Sequence, residues 1–92
     1  MPKERLWQVS FDKRAEKMFA KLDKTTQKRI KDFIDQKLII DPIKYLIMLA
    51  GSNKFSRARV GDYRIIMEIK DQELLIIIID VGHRRERFTD DF

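Results

Sequence analysis

Cysteine is absent from this 92-residue chain, and glycine, proline and histidine number only three, two and one. Without cysteine there is no disulfide framework and no thiolate nucleophile or metal ligand, which fits a reducing cytoplasm. Three scattered glycines cannot build a phosphate-cradling glycine-rich loop. A lone histidine excludes a His-clustered metal site, and Asp90-Asp91 reads as a solvated pair. Ser10, Ser52 and Ser56 carry no signature of a catalytic triad. The longest aliphatic run, Leu74 to Ile79, is far too short to span a bilayer. Met1 to Arg5 is charged and lacks the apolar centre of a signal peptide. The expectation is one cytoplasmic domain over residues 1–92, with no membrane, cofactor or metal.

Charge is plentiful. Charged residues make up 38% and hydrophobic residues 43% of the chain, with a net charge of +5. That balance describes a globular domain with an acidic partner, nucleic acid or protein. Nine of the eleven lysines precede Asn53, whereas six of the nine arginines follow it. Lysine is a hydrated point charge suited to solvating helices; arginine presents a planar fork that fits phosphate. The early lysines therefore read as solvated faces, and the late arginines as a site.

Within Arg57-Ala58-Arg59-Val60-Gly61-Asp62-Tyr63-Arg64, Gly61-Asp62 is a two-residue hairpin turn. That turn pairs Val60 with Tyr63 and sets Arg59 across from Arg64, with Arg57 two residues along on the same face. Like charges facing each other in a ladder are destabilising. Three guanidinium groups crowded there point to a phosphate between them, against the plainer reading of a solvated sheet face.

Elsewhere the pattern predicts a short strand through Trp7, Val9 and Phe11. Asp12 then caps a helix with Ala15, Met18, Phe19 and Leu22 on one stripe. Thr25 or Thr26 opens a second helix carrying Ile30, Phe33, Ile34 and Leu38. The stretch Ile43 to Ala50 reads as a turn of helix or an apolar loop beneath the sheet, and Gly51-Ser52-Asn53 as a turn. Three strands follow, about 54–60, 63–70 and 74–81. Ala58, Val60, Tyr63, Ile65, Met67 and Ile69 form the face the helices cover, so Tyr63 belongs to the core. Phe55, Arg57, Arg59, Arg64, Ile66 and Glu68 form the partly open face. The third strand, apolar on both sides, should be central or covered on both faces. A three-residue turn near Asp71 sets Asp80 beside Arg64, and a two-residue turn would set Ile79 there; the first keeps Asp80 off the apolar face. The fold class is α+β, ordered β-α-α-β-β-β: an antiparallel sheet with a helical hairpin on one face.

Leu49-x-Gly51, Arg57-x-Arg59-Val60-Gly61-Asp62-Tyr63-Arg64 and Val81-Gly82-His83-Arg84-Arg85, in this order and spacing, resemble the RelE/ParE superfamily of bacterial and archaeal toxins. The resemblance covers nearly the whole chain and is nearest to RelE-like mRNA interferases. It implies a type II toxin, neutralised by a cognate acidic antitoxin in a toxin–antitoxin hetero-oligomer, that cleaves mRNA in the ribosomal A site. It implies metal-independent chemistry, in which the messenger's 2′-hydroxyl attacks the adjacent phosphate. Carried over by position, Arg64 and Arg84 stabilise the pentavalent phosphate, with Arg59 completing the catalytic cations. Lys54, Arg57, Arg85 and Arg87 hold RNA, and Phe88 stacks on a base where RelE-like nucleases commonly have tyrosine. Phenylalanine has no proton to give, so His83 becomes the group with a pKa suited to acid–base work; its plainer role is phosphate binding. Two other readings stay open: a ParE-like inhibitor of DNA gyrase without nuclease chemistry, and a catalytically impaired antitoxin-binding homologue.

Overall fold

The computed structural model describes residues 6–49 and 55–83. Strand β1 (Gln8–Phe11) leads into helix α1 (Lys13–Ala20), and α2 (Lys24–Phe33) follows after a short turn. Strands β2 (Ile47–Met48), β3 (Phe55–Val60), β4 (Tyr63–Lys70) and β5 (Leu75–His83) complete one sheet. The strand order is β1-β5-β4-β3-β2.

Both helices begin at an aspartate, because their first N–H groups lack intrahelical acceptors. Asp12 Oδ1 accepts from the Ala15 N–H at 2.8 Å. The second cap is Asp23, not Thr25 or Thr26: its carboxylate accepts from the Thr26 N–H at 3.2 Å and the Thr26 hydroxyl at 2.6 Å. An ionised oxygen is the stronger acceptor, so the helix starts at the carboxylate and draws Thr26 in as a donor. Those contacts hold the Asp23 carboxyl below its ordinary value of 3.8, with the Thr26 hydroxyl the largest cause. At the far end of α1, Gln27 donates through Nε2 to the carbonyls of Phe19 at 3.0 Å and Leu22 at 3.2 Å. One side chain thus ties the end of α1 and the connecting turn to α2. Beyond α2 the chain makes a single π turn, Ile34–Leu38, closed by the Ile39 N–H on the Ile34 carbonyl at 3.1 Å.

The helices lie on the predicted face. Ala15, Ile30, Ile34 and Leu38 pack with Ala58, Ile65, Met67, Ile76, Ile78 and Val81 into one core, with Tyr63 and Val60 against it. Strand β5 is central as expected, between β1 and β4.

Three details differ from the sequence expectation. The sheet is antiparallel except at one edge, where β1 runs parallel to β5 with Val9 beside Ile76 and Phe11 beside Ile78. The segment after Asp41 takes the expected helical turn but then adds a strand that the sequence did not show. It forms a 3-10 turn, Pro42–Tyr45, and then β2, which adds to the sheet edge through Ile47 beside Arg57 and Met48 beside Ser56. Proline removes one N–H and pre-sets φ, which suits a short turn, and the β-branched Ile47 suits the strand after it.

The third detail concerns register. Four residues, Asp71 to Leu74, separate Lys70 from its partner Leu75, with Leu74 in the left-handed region at φ 51. Continued unbroken, that register would oppose Asp80 to Ile65 and drive a carboxylate into the core. A bulge prevents this: Met67 pairs with Ile78, Ile66 with Asp80, and Ile79 is the extra residue. The longer turn and the bulge each add one residue, so Asp80 returns to the arginine face, opposite Ile66 and not Arg64. Bulges re-aim side chains beside functional sites.

Candidate functional site: an arginine row on the sheet

The Gly61-Asp62 turn forms as predicted, with Gly61 at φ +60, a conformation glycine adopts without steric penalty. Val60 pairs with Tyr63, Ala58 with Ile65, and Arg59 with Arg64. Continued onto β5, one row across the sheet reads Arg59, Arg64, Gly82, and the next reads Arg57, Ile66, Asp80. Arg57, Arg59 and Arg64 therefore share a face over two adjacent rows.

The burial gradient shapes this face. Ile66 is 0% exposed and Asp80 2%, so the centre of the face expected to be partly open is a buried floor. Arg57 and Arg64 are half-buried above it, and Arg59 is exposed at the hairpin end. Arg57 Nε is buried with no hydrogen-bond partner among the described residues. An unmet buried donor is costly, and an anionic oxygen would satisfy it. Gly82, opposite Arg64, puts no side chain into that row. Asp80 places its carboxyl group, 2% exposed, in the row that holds Arg57 and Ile66. Such an arrangement can bind a phosphodiester and stabilise charge developing on it.

His83 is not brought to this cluster. It pairs with Tyr63 on the helix side of the sheet, and their rings meet edge to face, centroids 5.2 Å apart at 78°. Its neighbours there include Met18 and Leu22. A strand's alternation separates His83 from Gly82 and from the row containing Arg64. Lys54, Arg84, Arg85, Arg87 and Phe88 lie outside the described residues, as do Gly51-Ser52-Asn53 and Asp90-Asp91. Among the described residues there is no group of carboxylates and histidine fit to hold a metal ion. No helix among them is long and apolar enough to cross a membrane.

The sequence matches the family described as the ParE toxin of type II toxin-antitoxin system, parDE, over residues 9–88. The chain belongs to the RelE/ParE superfamily of type II toxins. No curated protein matches this toxin. Among solved structures it is similar to the archaeal RelE–RelB complex of Pyrococcus horikoshii at 29% identity and TM-score 0.73, covering 87% of this chain and 97% of that one. It is also 29% identical to the RelB–RelE antitoxin–toxin complex of Methanococcus jannaschii, TM-score 0.71, covering 91% and 99%. The RelBE2 toxin–antitoxin complex of Mycobacterium tuberculosis shares the fold, at 24% identity and TM-score 0.81, covering 94% and 100%.

Sequence reasoning missed two features of this toxin's site. The first is Gly82 as the neighbour of Arg64, hidden because the run Leu74 to Ile79 has no alternation to reveal a bulge. The second is a basic cleft beyond Arg59, whose one sequence signal is Arg29, the sole arginine among the lysines of α2.

Proposed function

We propose that this toxin is a ribosome-dependent endoribonuclease that cleaves mRNA in the A site without a metal. The observation that carries the reading is the row Arg59, Arg64, Gly82 above a buried floor, with Arg57 Nε unmet among the described residues. In the proposed reaction the 2′-hydroxyl loses its proton and attacks the adjacent phosphorus. The bond from phosphorus to the 5′-oxygen breaks, leaving a 2′,3′-cyclic phosphate and a 5′-hydroxyl that takes up a proton. Arg64, together with Arg84, stabilises the pentavalent phosphate, and Arg59 and Arg57 hold its non-bridging oxygens. Lys54, Arg85 and Arg87 track the backbone, and Phe88 stacks on a base. We assign no proton transfer to His83, whose ring packs on the other side of the sheet. The likeness to archaeal RelE–RelB complexes at 29% identity supports an antitoxin partner. A net charge of +5 favours an acidic one, and a ribosomal target implies action in the cytoplasm.

The match to the ParE family favours a second reading, inhibition of DNA gyrase on the same fold. Two assays on one preparation separate the readings. Purified translation complexes with a codon in the A site should yield cut mRNA, while gyrase supercoiling should continue. Gyrase arrest with intact mRNA would reverse the assignment.

A further inference from the structure

The arginine face does not end at Arg59. A cleft of about 370 Å³ opens between α2, the Pro42–Tyr45 turn and the β3–β4 hairpin, and Arg59 is part of its lining together with Arg29 and Lys37. Arg29 reaches over the hairpin tip: a Cβ on Gly61 would lie 2.9 Å from its Nη1. Glycine at the turn therefore also leaves the space that this guanidinium group occupies. Lys37 is held by the ring of Tyr45, its Nζ 5.7 Å from the centroid. The one carboxylate in the lining, Asp32, is bonded to Lys28 at 3.1 Å. Among the described residues neither Arg29, Lys37 nor Arg59 has a carboxylate partner.

We propose that this cleft is a second phosphate-backbone site, which takes the RNA strand onward after it has crossed the arginine face. The proposal rests on the nuclease reading and lengthens its footprint. Continuity carries it: Arg59, at the hairpin end of the arginine row, is also among the residues that line the cleft with Arg29 and Lys37. A single strand with a charge at every unit matches such a track. Two of the three cations that line the cleft, Arg29 and Arg59, are arginines, whose forks fit phosphate oxygens. An acidic peptide would want apolar anchors as well. The aromatic rings here are already engaged with each other, Phe33 and Tyr45 meeting edge to face at 5.8 Å.

Salt dependence of RNA binding tests the proposal, using the full chain and labelled oligouridylates of about 6 and about 20 nucleotides. Each lost phosphate contact lowers the slope of log K against log salt by about 0.7 for a single strand. Arg29→Ala/Lys37→Ala should reduce the slope by about 1.4 on the long RNA and leave the short one nearly unchanged. Arg57→Ala/Arg64→Ala should weaken both. If the cleft variant keeps the parental slope on long RNA while the face variant loses affinity, the cleft proposal is wrong and the nuclease reading stands. Equal loss on both lengths would also overturn it, because the cleft would not lie beyond the face. An unchanged RNA slope with antitoxin released at lower salt would give the cleft to an acidic peptide. Full binding by both variants would remove the RNA reading of the face and the cleft together.

Discussion

Arg59→Gln removes one charge from the arginine row while keeping a polar side chain that can hydrogen-bond, and it should make the toxin more stable. Beside a two-residue turn, Val60 and Tyr63 form the hydrogen-bonded pair, so Arg59 and Arg64 form the next, non-hydrogen-bonded pair. There the Cα atoms approach to about 4.5 Å and the side chains run close together. With guanidinium centres about 7 Å apart in a water-like dielectric, the repulsion is about 0.6 kcal/mol. In a domain this size such a gain raises the melting temperature by about 2–5 °C at low ionic strength. The Debye length falls to about 3 Å at 1 M salt, so the gain should vanish there. Thermal unfolding of parent and variant at low and high salt reads both effects. A lower melting temperature in the variant, or a gain that survives high salt, would refute the repulsion argument. On the proposed nuclease reading the same variant should also lose toxicity, which growth inhibition at equal protein level checks.

Arg64→Ala and Arg84→Ala should each lower mRNA cleavage on the order of 10²–10³-fold, the usual cost of losing one oriented donor, and abolish growth inhibition at equal protein level. His83→Gln should leave the pH–rate profile of cleavage unchanged; a flattened profile would show that the imidazole reaches the scissile phosphate. Asp12→Ala should cost about 1 kcal/mol in denaturant unfolding, because the Ala15 N–H loses its acceptor. The Asp23 carboxyl titrates below its ordinary value, so its cap contributes above that value and is lost as pH falls through the lowered one. Asp23→Asn should remove that part of the acid-induced loss, read as melting temperature against pH.

Local rules made the hairpin and both helical stripes legible. Gly61-Asp62 specifies one turn, that turn specifies one register, and the register alone places Arg59 against Arg64. The helical stripe of Ile30, Ile34 and Leu38 needs only spacing. Features that depend on tertiary competition were not legible. Nothing in Leu74 to Ile79 distinguishes a straight strand from a bulged one, because every residue suits either face. Asp80 reached its face because two one-residue changes, in the turn and at Ile79, preserved parity. Thr25 and Thr26 resembled caps, but Asp23 offers a charged acceptor at the same helix end. His83 adjoins a run of arginines in sequence, and alternation along β5 turns it to the opposite side. Strand β2 was hidden because a two-residue strand is too short to show a period.

On the proposed nuclease reading, the arginine face promotes attack by the messenger's own 2′-hydroxyl. Placing a single 2′-deoxynucleotide immediately 5′ of the cut, in mRNA bound in a purified translation complex, tests it most directly. This one change should stop cleavage, and unmodified message should give a downstream fragment with a free 5′-hydroxyl. Undiminished cutting of the 2′-deoxy message, with a 5′-phosphate on the fragment, would contradict it.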